Sequence, residues 1–130
     1  MINYSPCPFC NLDKSRIIIE NTHSIAFHDG FPVTPGHSLI MPKRHIASFF
    51  EATKEEQAAM FDLLVGMRQL VLSERIPDGF NIGINDGTAA GQTVMHLHIH
   101  LIPRYAGDTE DPRGGVRWIM PEKAPYWKKQ

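Results

Sequence analysis

The amino-acid sequence predicts an α+β protein in which an antiparallel sheet of about five strands packs against one long helix. Five short segments are rich in apolar and β-branched residues, and turn residues separate them. A single longer segment repeats its apolar residues at helical spacing. Short, hairpin-like connections favour antiparallel pairing. The predicted arrangement is therefore a sheet and a helix packed against each other in two layers.

The first three strands are expected in the N-terminal third of the chain. Residues 16–20 (Arg-Ile-Ile-Ile-Glu) and residues 23–28 are separated by an Asn-Thr turn. A loop over residues 29–36 follows, which is interrupted by two glycines and two prolines. Residues 37–41 then form a third expected strand that stops at Pro42. A short N-terminal element precedes this sheet.

The long helix is expected from about Lys54 to Glu74. Thr53 is suited to cap its first turn, and Glu56 three residues later completes a capping box. Pro77-Asp78-Gly79 ends the element. The expected buried stripe consists of Met60, Leu64, Met67 and Val71.

The last two strands are expected over residues 80–84 and 93–102, joined by a glycine-bearing loop over 85–91. The chain therefore divides into a domain over residues 1–107 and a C-terminal tail over 108–130. The tail is rich in proline and glycine, yet its aromatic side chains suggest that it packs on the domain or on a partner subunit. These aromatic residues are Trp118, Tyr126 and Trp127.

Composition excludes several classes of function. The net charge of −1 provides no basic field, so nucleic acid is not an expected partner. No apolar run approaches the roughly 20 residues that span a bilayer, so no membrane association is expected. The N-terminus lacks the features of a signal peptide, which makes the cytoplasm the expected location. Cys7 and Cys10 are then reduced thiols rather than a disulfide.

Three histidines at alternate positions are the most informative feature of the chain. A strand would place His96, His98 and His100 on one face, with apolar residues on the other. They are either histidines without chemical function, the ligands of a catalytic zinc ion, or a nucleophilic centre. Residues two apart on a strand lie about 6.5–7 Å apart, which is too wide for three ligands of one ion in a straight row. Gly91-Gln92-Thr93 just upstream offers N–H, amide and hydroxyl groups for anionic oxygens, which favours nucleophilic catalysis.

Residues 91–104 (Gly-Gln-Thr-Val-Met-His-Leu-His-Ile-His-Leu-Ile-Pro-Arg) resemble the signature of the histidine triad (HIT) family. The segment Pro35–Pro42 is similar to a second landmark of that family, and Asn85-Asp86-Gly87 matches its asparagine loop. The tail segment Asp111–Arg117 resembles a bacterial branch related to diadenosine tetraphosphate hydrolases. The resemblance implies the HIT-like fold and, as the activity, cleavage at the α-phosphate of a nucleotide with release of a nucleoside monophosphate.

The resemblance also implies roles for individual residues. His98 would attack phosphorus and form a nucleotidyl-histidine, while the backbone carbonyl of His96 holds its other ring nitrogen. His100 and His37 would contact the α-phosphate. The implied substrate-binding residues are Asp29 (ribose hydroxyls, or else a plain turn residue), Asn85, Gly91, Gln92 and Thr93. No catalytic metal is required.

Cys7 and Cys10 form a Cys-x-x-Cys motif, which by itself indicates a redox pair, a metal site or two idle thiols. In relatives of the superfamily such a motif binds a structural zinc ion together with a distal histidine and the first histidine of the triad. The resemblance therefore implies a closed site formed by Cys7, Cys10, His45 and His96.

The family resemblance further implies a homodimer, in which two sheets join edge to edge and the long helix contributes to the interface. Arg113 or Arg117 of the tail would be candidates to reach distal phosphates. The alternatives to a hydrolase are a nucleotidyltransferase, a nucleotide-binding or scaffold protein with incidental catalysis, and a metal-hydroxide hydrolase built on the histidines.

Overall fold

The computed structural model describes residues 7–128, which form a five-stranded antiparallel sheet crossed by one long helix, as the sequence predicts. In chain order the strands are β1 (Ile17–Glu20), β2 (Ser24–His28), β3 (Ser38–Pro42), β4 (Gly79–Gly83) and β5 (Ile99–Arg104). The order across the sheet is β1-β2-β3-β5-β4, and each neighbouring pair is antiparallel. Within these residues no helix has the length and apolar character needed to cross a membrane.

Helix α1 (Lys54–Glu74) begins and ends where the sequence predicts. The Thr53 side chain accepts from the Glu56 N–H and the Glu56 carboxylate accepts from the Thr53 N–H, which completes the expected capping box. Arg44 also donates to both Glu56 oxygens, at 3.0 and 2.8 Å. Chiefly because of these bonds, the pKa of Glu56 falls to about 2. The buried carboxylate is therefore ionised and ties the start of α1 to the segment after β3.

The main core lies between α1 and one face of the sheet. Leu63, rather than the predicted Leu64, is buried there, because the sheet covers the side of the helix that carries Leu63 while Leu64 lies at the margin, partly exposed. The other helical core residues, Met60, Met67 and Val71, are buried as expected. The sheet contributes Ala26, Ile40, Ile99 and Leu101.

The predicted strand over residues 93–102 is wrong in its first half, because β5 begins only at Ile99. The preceding segment is held by irregular hydrogen bonds instead. The Leu97 N–H donates to the Ile46 carbonyl at 2.7 Å, and the Gln92 side chain donates to two other backbone carbonyls. The apolar residues of the alternating pattern are nevertheless buried, so the histidines lie on the side of the sheet opposite α1.

That second face carries a smaller apolar cluster. Phe27, Leu39 and Met41 project from β2 and β3 and are covered by Phe9 and Leu12 of the N-terminal segment. Because the Cys-x-x-Cys motif brackets Phe9, the segment that holds the two cysteines also forms part of the wall beside the histidines.

Candidate active site and metal centre

His98 has the protonation pattern that a nucleophile requires. Its Nδ1 lies 2.7 Å from the backbone carbonyl oxygen of His96. A carbonyl only accepts, so Nδ1 carries the hydrogen and the lone pair is on Nε2. Burial lowers the pKa of His98, which is 9% exposed, and favours the neutral ring. The residue thus presents an unprotonated imidazole nitrogen at neutral pH.

A chain of hydrogen bonds sets the tautomer of His100. The Val33 N–H donates to Nδ1 of His37 at 3.1 Å, so the hydrogen of His37 is on Nε2. That nitrogen lies 3.0 Å from Nδ1 of His100, which accepts. The hydrogen of His100 is therefore on Nε2. Burial and the neighbouring His98 and His37 lower the pKa of His100 to about 4, so the ring is a neutral N–H donor.

Asp29 completes this cluster without making it a metal site. Its Oδ2 lies 3.4 Å from Nε2 of His37, and its Oδ1 accepts from the Phe31 N–H at 2.8 Å. The ligand atoms of Asp29, His37 and His100 all lie within 4.8 Å of one another. A metal ligand needs a lone pair, however, and Nε2 of His37 carries a hydrogen. The arrangement is therefore a hydrogen-bonded pair of histidines with a carboxylate beside it.

The nucleophile cavity, as we call the space in front of His98, has a volume of about 370 Å³, a size typical of small-molecule sites. Its apolar wall is formed by Phe9, Phe27, Phe31 and Leu39. The structure brings every predicted substrate-binding residue to its lining together with two of the three predicted catalytic histidines: Asp29, Asn85, Gly91, Gln92, Thr93, His98 and His100. The third, His37, is 3% exposed and lies behind His100 rather than in this lining.

Gln92 lines the cavity, but its amide is already engaged. Its Oε1 accepts from the Gly87 N–H, and its Nε2 donates to the carbonyls of Ala47 and Val94 at 2.9 and 3.1 Å. Gly91, whose φ of +95° is in the region that favours glycine, makes the turn that precedes it. Gln92 therefore shapes the loop, while Thr93 is the exposed side chain of this segment.

Sequence reasoning missed Arg16 and the apolar wall of the cavity, to which Phe9 belongs. The ring of Phe9 packs edge-on against His98 with centroids 4.9 Å apart, and Arg16 lies 5.5 Å from the centroid of Phe27. Both residues line the nucleophile cavity. The position of Phe9 between Cys7 and Cys10 was the available signal, because a metal knuckle fixes the residues it encloses.

The four predicted metal ligands converge at the other end of the histidine segment. Nδ1 of His96 lies 3.7 Å from Sγ of Cys7 and 3.4 Å from Sγ of Cys10, and Nδ1 of His45 lies 3.0 Å from Sγ of Cys10. Ligand atoms around a tetrahedral zinc ion are roughly 3.3–3.8 Å apart. These four residues therefore have a spacing close to that of a closed Cys2His2 site.

A further observation fits a cation at this position. Nε2 of His96 donates to the Pro42 carbonyl at 2.8 Å, which leaves the lone pair of Nδ1 facing the thiols. Burial and the adjacent Cys7 raise the pKa of Cys10 to about 11, so a bound cation would have to displace the proton of this thiol.

Comparison with known proteins identifies the family of this chain. The sequence model of the HIT domain matches residues 12–107 of this chain. The chain belongs to the HIT family. An uncharacterized HIT-like protein from Mycoplasma genitalium is 41% identical over 106 residues, which are 78% of this chain and 74% of that protein.

Solved HIT structures share the fold as well. A HIT family protein from Bacillus anthracis superposes with a TM-score of 0.75 at 32% identity, over 95% of this chain and 92% of that one. A zinc-bound histidine triad family protein from Mycobacterium smegmatis gives a TM-score of 0.72 at 33% identity, over 82% and 80%. The HIT match begins after Cys10 and ends before the tail, so the Cys-x-x-Cys motif and the tail lie outside it.

Proposed function

We propose that this HIT protein is a nucleotide hydrolase that cleaves phosphoanhydrides or phosphoramidates of an adenine nucleotide or dinucleotide at the α-phosphate. The observation that carries the proposal is the pairing of opposite tautomers on adjacent rings. His98 offers a lone pair on Nε2, and His100, whose ring centroid is 5.1 Å away, offers an N–H. A nucleophile and a hydrogen-bond donor thus lie side by side at one cavity.

In the first step Nε2 of His98 attacks the α-phosphorus and the bond to the leaving group breaks, which gives a nucleotidyl-histidine. The N–H of His100 donates to a phosphate oxygen, where negative charge grows in the transition state. The leaving oxygen or nitrogen takes a proton from solvent. In the second step water attacks phosphorus, the bond to His98 breaks, and a proton returns to solvent.

The cavity suits a nucleoside 5′-phosphate. Asp29 offers carboxylate oxygens to a vicinal ribose diol, and the apolar wall of Phe9, Phe27 and Leu39 suits a base. If another acceptor replaces water in the second step, the same groups perform nucleotidyl transfer, which is the second candidate. In both reactions His37 acts as a positioning residue that holds the tautomer of His100.

The intermediate provides the direct test. Diadenosine tetraphosphate and adenosine 5′-phosphoramidate are mixed with the protein, and samples quenched at alkaline pH are analysed by intact-protein mass spectrometry. We expect AMP release and a transient covalent adduct of one AMP per chain, both with excess chelator present. AMP release without any adduct, lost when metal is chelated, would instead indicate a metal-hydroxide hydrolase.

We further propose that Cys7, Cys10, His45 and His96 hold a structural zinc ion. The four side chains supply a closed ligand set, and His96 already has its second nitrogen bonded to a carbonyl. Bound there, the ion would join the N-terminal segment to the segment that leads into β5. It supplies stability and takes no part in the reaction.

We also propose a homodimer formed by β4 and α1. β4 is an edge strand, with β5 as its only neighbour in the sheet among the described residues, so its outer side can pair with the same strand of a second copy. An exposed and largely apolar stripe on α1, which also contains Arg68, lies beside β4. The contact that shows this is between Arg68 and the ring of Phe80 in β4, at 5.4 Å. The apolar members of the stripe are Phe61, Val65 and Leu72, between 40% and 59% exposed.

Val65→Asp tests the dimer. A charge at the centre of the stripe should shift the protein from dimer to monomer in sedimentation velocity. Ser73→Asp adds the same charge on an exposed part of the same helix away from the stripe and should leave the dimer intact. A monomeric wild-type protein at micromolar concentration would refute this interface.

A further inference from the structure

The loop that precedes the three histidines is closed on itself by hydrogen bonds. We call residues 85–93 the cavity loop, because residues at both of its ends line the nucleophile cavity: Asn85, Gly91, Gln92 and Thr93. The Gly87 N–H donates to Oε1 of Gln92 at 2.8 Å, and the Gly87 carbonyl accepts from the Gln92 N–H at 3.1 Å. Since these bonds join the two ends of the loop, its position as a whole depends on its attachments to the rest of the chain.

Asp86 makes one of these attachments. Its Oδ2 accepts from the Ser48 hydroxyl at 3.0 Å and from the Phe49 N–H at 2.9 Å. No cation among the described residues forms an ion pair with this carboxylate, and Asp86 is not part of the cavity lining. Its neighbour Asn85 does line the cavity. The carboxylate therefore fixes the place of a cavity residue without lining the cavity itself.

Ala47 and Ile46 bind the same part of the chain through their carbonyl groups. The Ala47 carbonyl accepts from Nε2 of Gln92 at 2.9 Å, and the Ile46 carbonyl accepts from the Leu97 N–H at 2.7 Å. Because Gln92 and Leu97 are both buried, these bonds are costly to break. Each of the residues 46–49 thus holds either the cavity loop or the segment that carries the histidines.

The same run of residues begins at the metal cluster. His45 immediately precedes it, and Nδ1 of His45 lies 3.0 Å from Sγ of Cys10. We call residues 45–49 the connecting segment, because its first residue is a metal ligand candidate and the others hold the cavity loop and the histidines. A shift of His45 therefore shifts the groups that hold the cavity loop, since they follow it directly in the chain.

We propose that Asp86 positions the cavity loop for nucleotide binding, and that the connecting segment couples the nucleotide to the metal site at its other end. The inference rests on the proposed function, since it takes a nucleotide to occupy the nucleophile cavity and zinc to bind His45. The nucleotide holds the cavity loop and zinc holds His45, so both favour the same placement of the connecting segment. Each should then tighten binding of the other by the same factor, because coupling between two binding sites is reciprocal.

Asp86→Ala tests the positioning role. Loss of a charged acceptor of two hydrogen bonds should weaken AMP binding in calorimetry by about tenfold and raise KM for adenosine 5′-phosphoramidate in parallel. The bonds that set the tautomers of His98 and His100 do not involve Asp86, so kcat should stay within about threefold of the wild type. Asp86→Asn keeps an oxygen that can accept both bonds, and it should restore AMP affinity to within about threefold of the wild type.

Two further variants serve as controls for Asp86→Ala. Asp62→Ala removes an exposed carboxylate of α1 outside the cavity lining and should change neither KM nor kcat. Ser48→Ala removes one of the two donors and should raise KM less, with kcat retained, which keeps the test valid if Asp86→Ala is unfolded. Unchanged AMP affinity in Asp86→Ala, no recovery in Asp86→Asn, or a fall in kcat as large as the rise in KM would each overturn the positioning role.

Zinc affinity tests the coupling without relying on activity. It is measured by competition with a chromophoric chelator, without AMP and at one AMP concentration that saturates both the wild type and Asp86→Ala. AMP should tighten zinc binding by at least about fivefold in the wild type and by less than about twofold in Asp86→Ala. AMP binds free zinc equally in both titrations, so that contribution cancels. A wild-type zinc affinity that is the same with and without AMP would refute the coupling.

The outcomes separate this inference from the proposed function. If no substrate yields AMP, the proposed hydrolysis is wrong, while AMP affinity still tests the role of Asp86. If the wild type binds no zinc, the proposed metal site is wrong and the coupling fails with it. If AMP is released and zinc is bound, but Asp86→Ala matches the wild type in both titrations, this inference alone fails.

Discussion

His98→Asn will abolish release of nucleoside monophosphate, lowering kcat/KM by roughly ten-thousandfold or more, as removal of a nucleophile does in other covalent enzymes. The amide of asparagine approximates one edge of the imidazole but cannot form the covalent intermediate. His100→Ala removes one hydrogen-bond donor to the phosphate, so a smaller loss of about 10²–10³-fold is expected. The two variants should therefore differ in size of effect, and only His98→Asn should lose the covalent adduct.

The measurement is the initial rate of AMP formation by chromatography, with adduct detection on the same samples. His23→Asn serves as the matched control, because His23 is exposed in the turn before β2 and should leave the rate unchanged. AMP formation by His98→Asn at near wild-type rate would contradict covalent catalysis by this residue. If His98→Asn loses both its activity and its near-ultraviolet circular dichroism signal, the variant is misfolded. Its affinity for nucleotide then shows whether the cavity persists.

Removing the proposed zinc ion will lower the melting temperature by at least about 10 °C, because a structural zinc ion contributes several kcal/mol to folding. The ion would link Cys10 to His45, which is 35 positions away in sequence, and to His96, which is 86 positions away. Phe9 lies between the cysteines and packs on His98. Loss of the ion should therefore also lower kcat, because Phe9 would no longer be held against His98. The ion itself would take no part in the reaction.

Elemental analysis and calorimetric melting of Cys10→Ser test this. We expect about one zinc ion per chain in the wild type, less than a tenth in the variant, and a matching drop in melting temperature when the wild type is treated with a strong chelator. His23→Ala replaces a histidine outside the cluster and should keep full zinc content. A wild-type protein that is purified with zinc supplied, yet holds none and melts unchanged with chelator, would rule out the site.

Local features of the sequence were sufficient for much of the fold. The bounds of α1 follow from the capping box of Thr53 and Glu56 and from helical spacing, both of which act within a few residues. The burial of alternate apolar residues around His98 likewise follows from local periodicity. By contrast, the start of β5 was predicted wrongly, because hydrogen bonds from Leu97 to Ile46 and from Gln92 to Ala47 replaced strand pairing there.

The sequence by itself determined the triad spacing and the Cys-x-x-Cys motif, and the resemblance to the HIT family implied the other residues of the site. Only the tertiary structure decided which nitrogen of each ring carries a hydrogen. His37 receives its hydrogen bond from Val33, His96 donates to Pro42, and His100 accepts from a residue 63 positions away. The physical reason is that a neutral imidazole takes the tautomer its partners demand, and those partners are assembled by the fold.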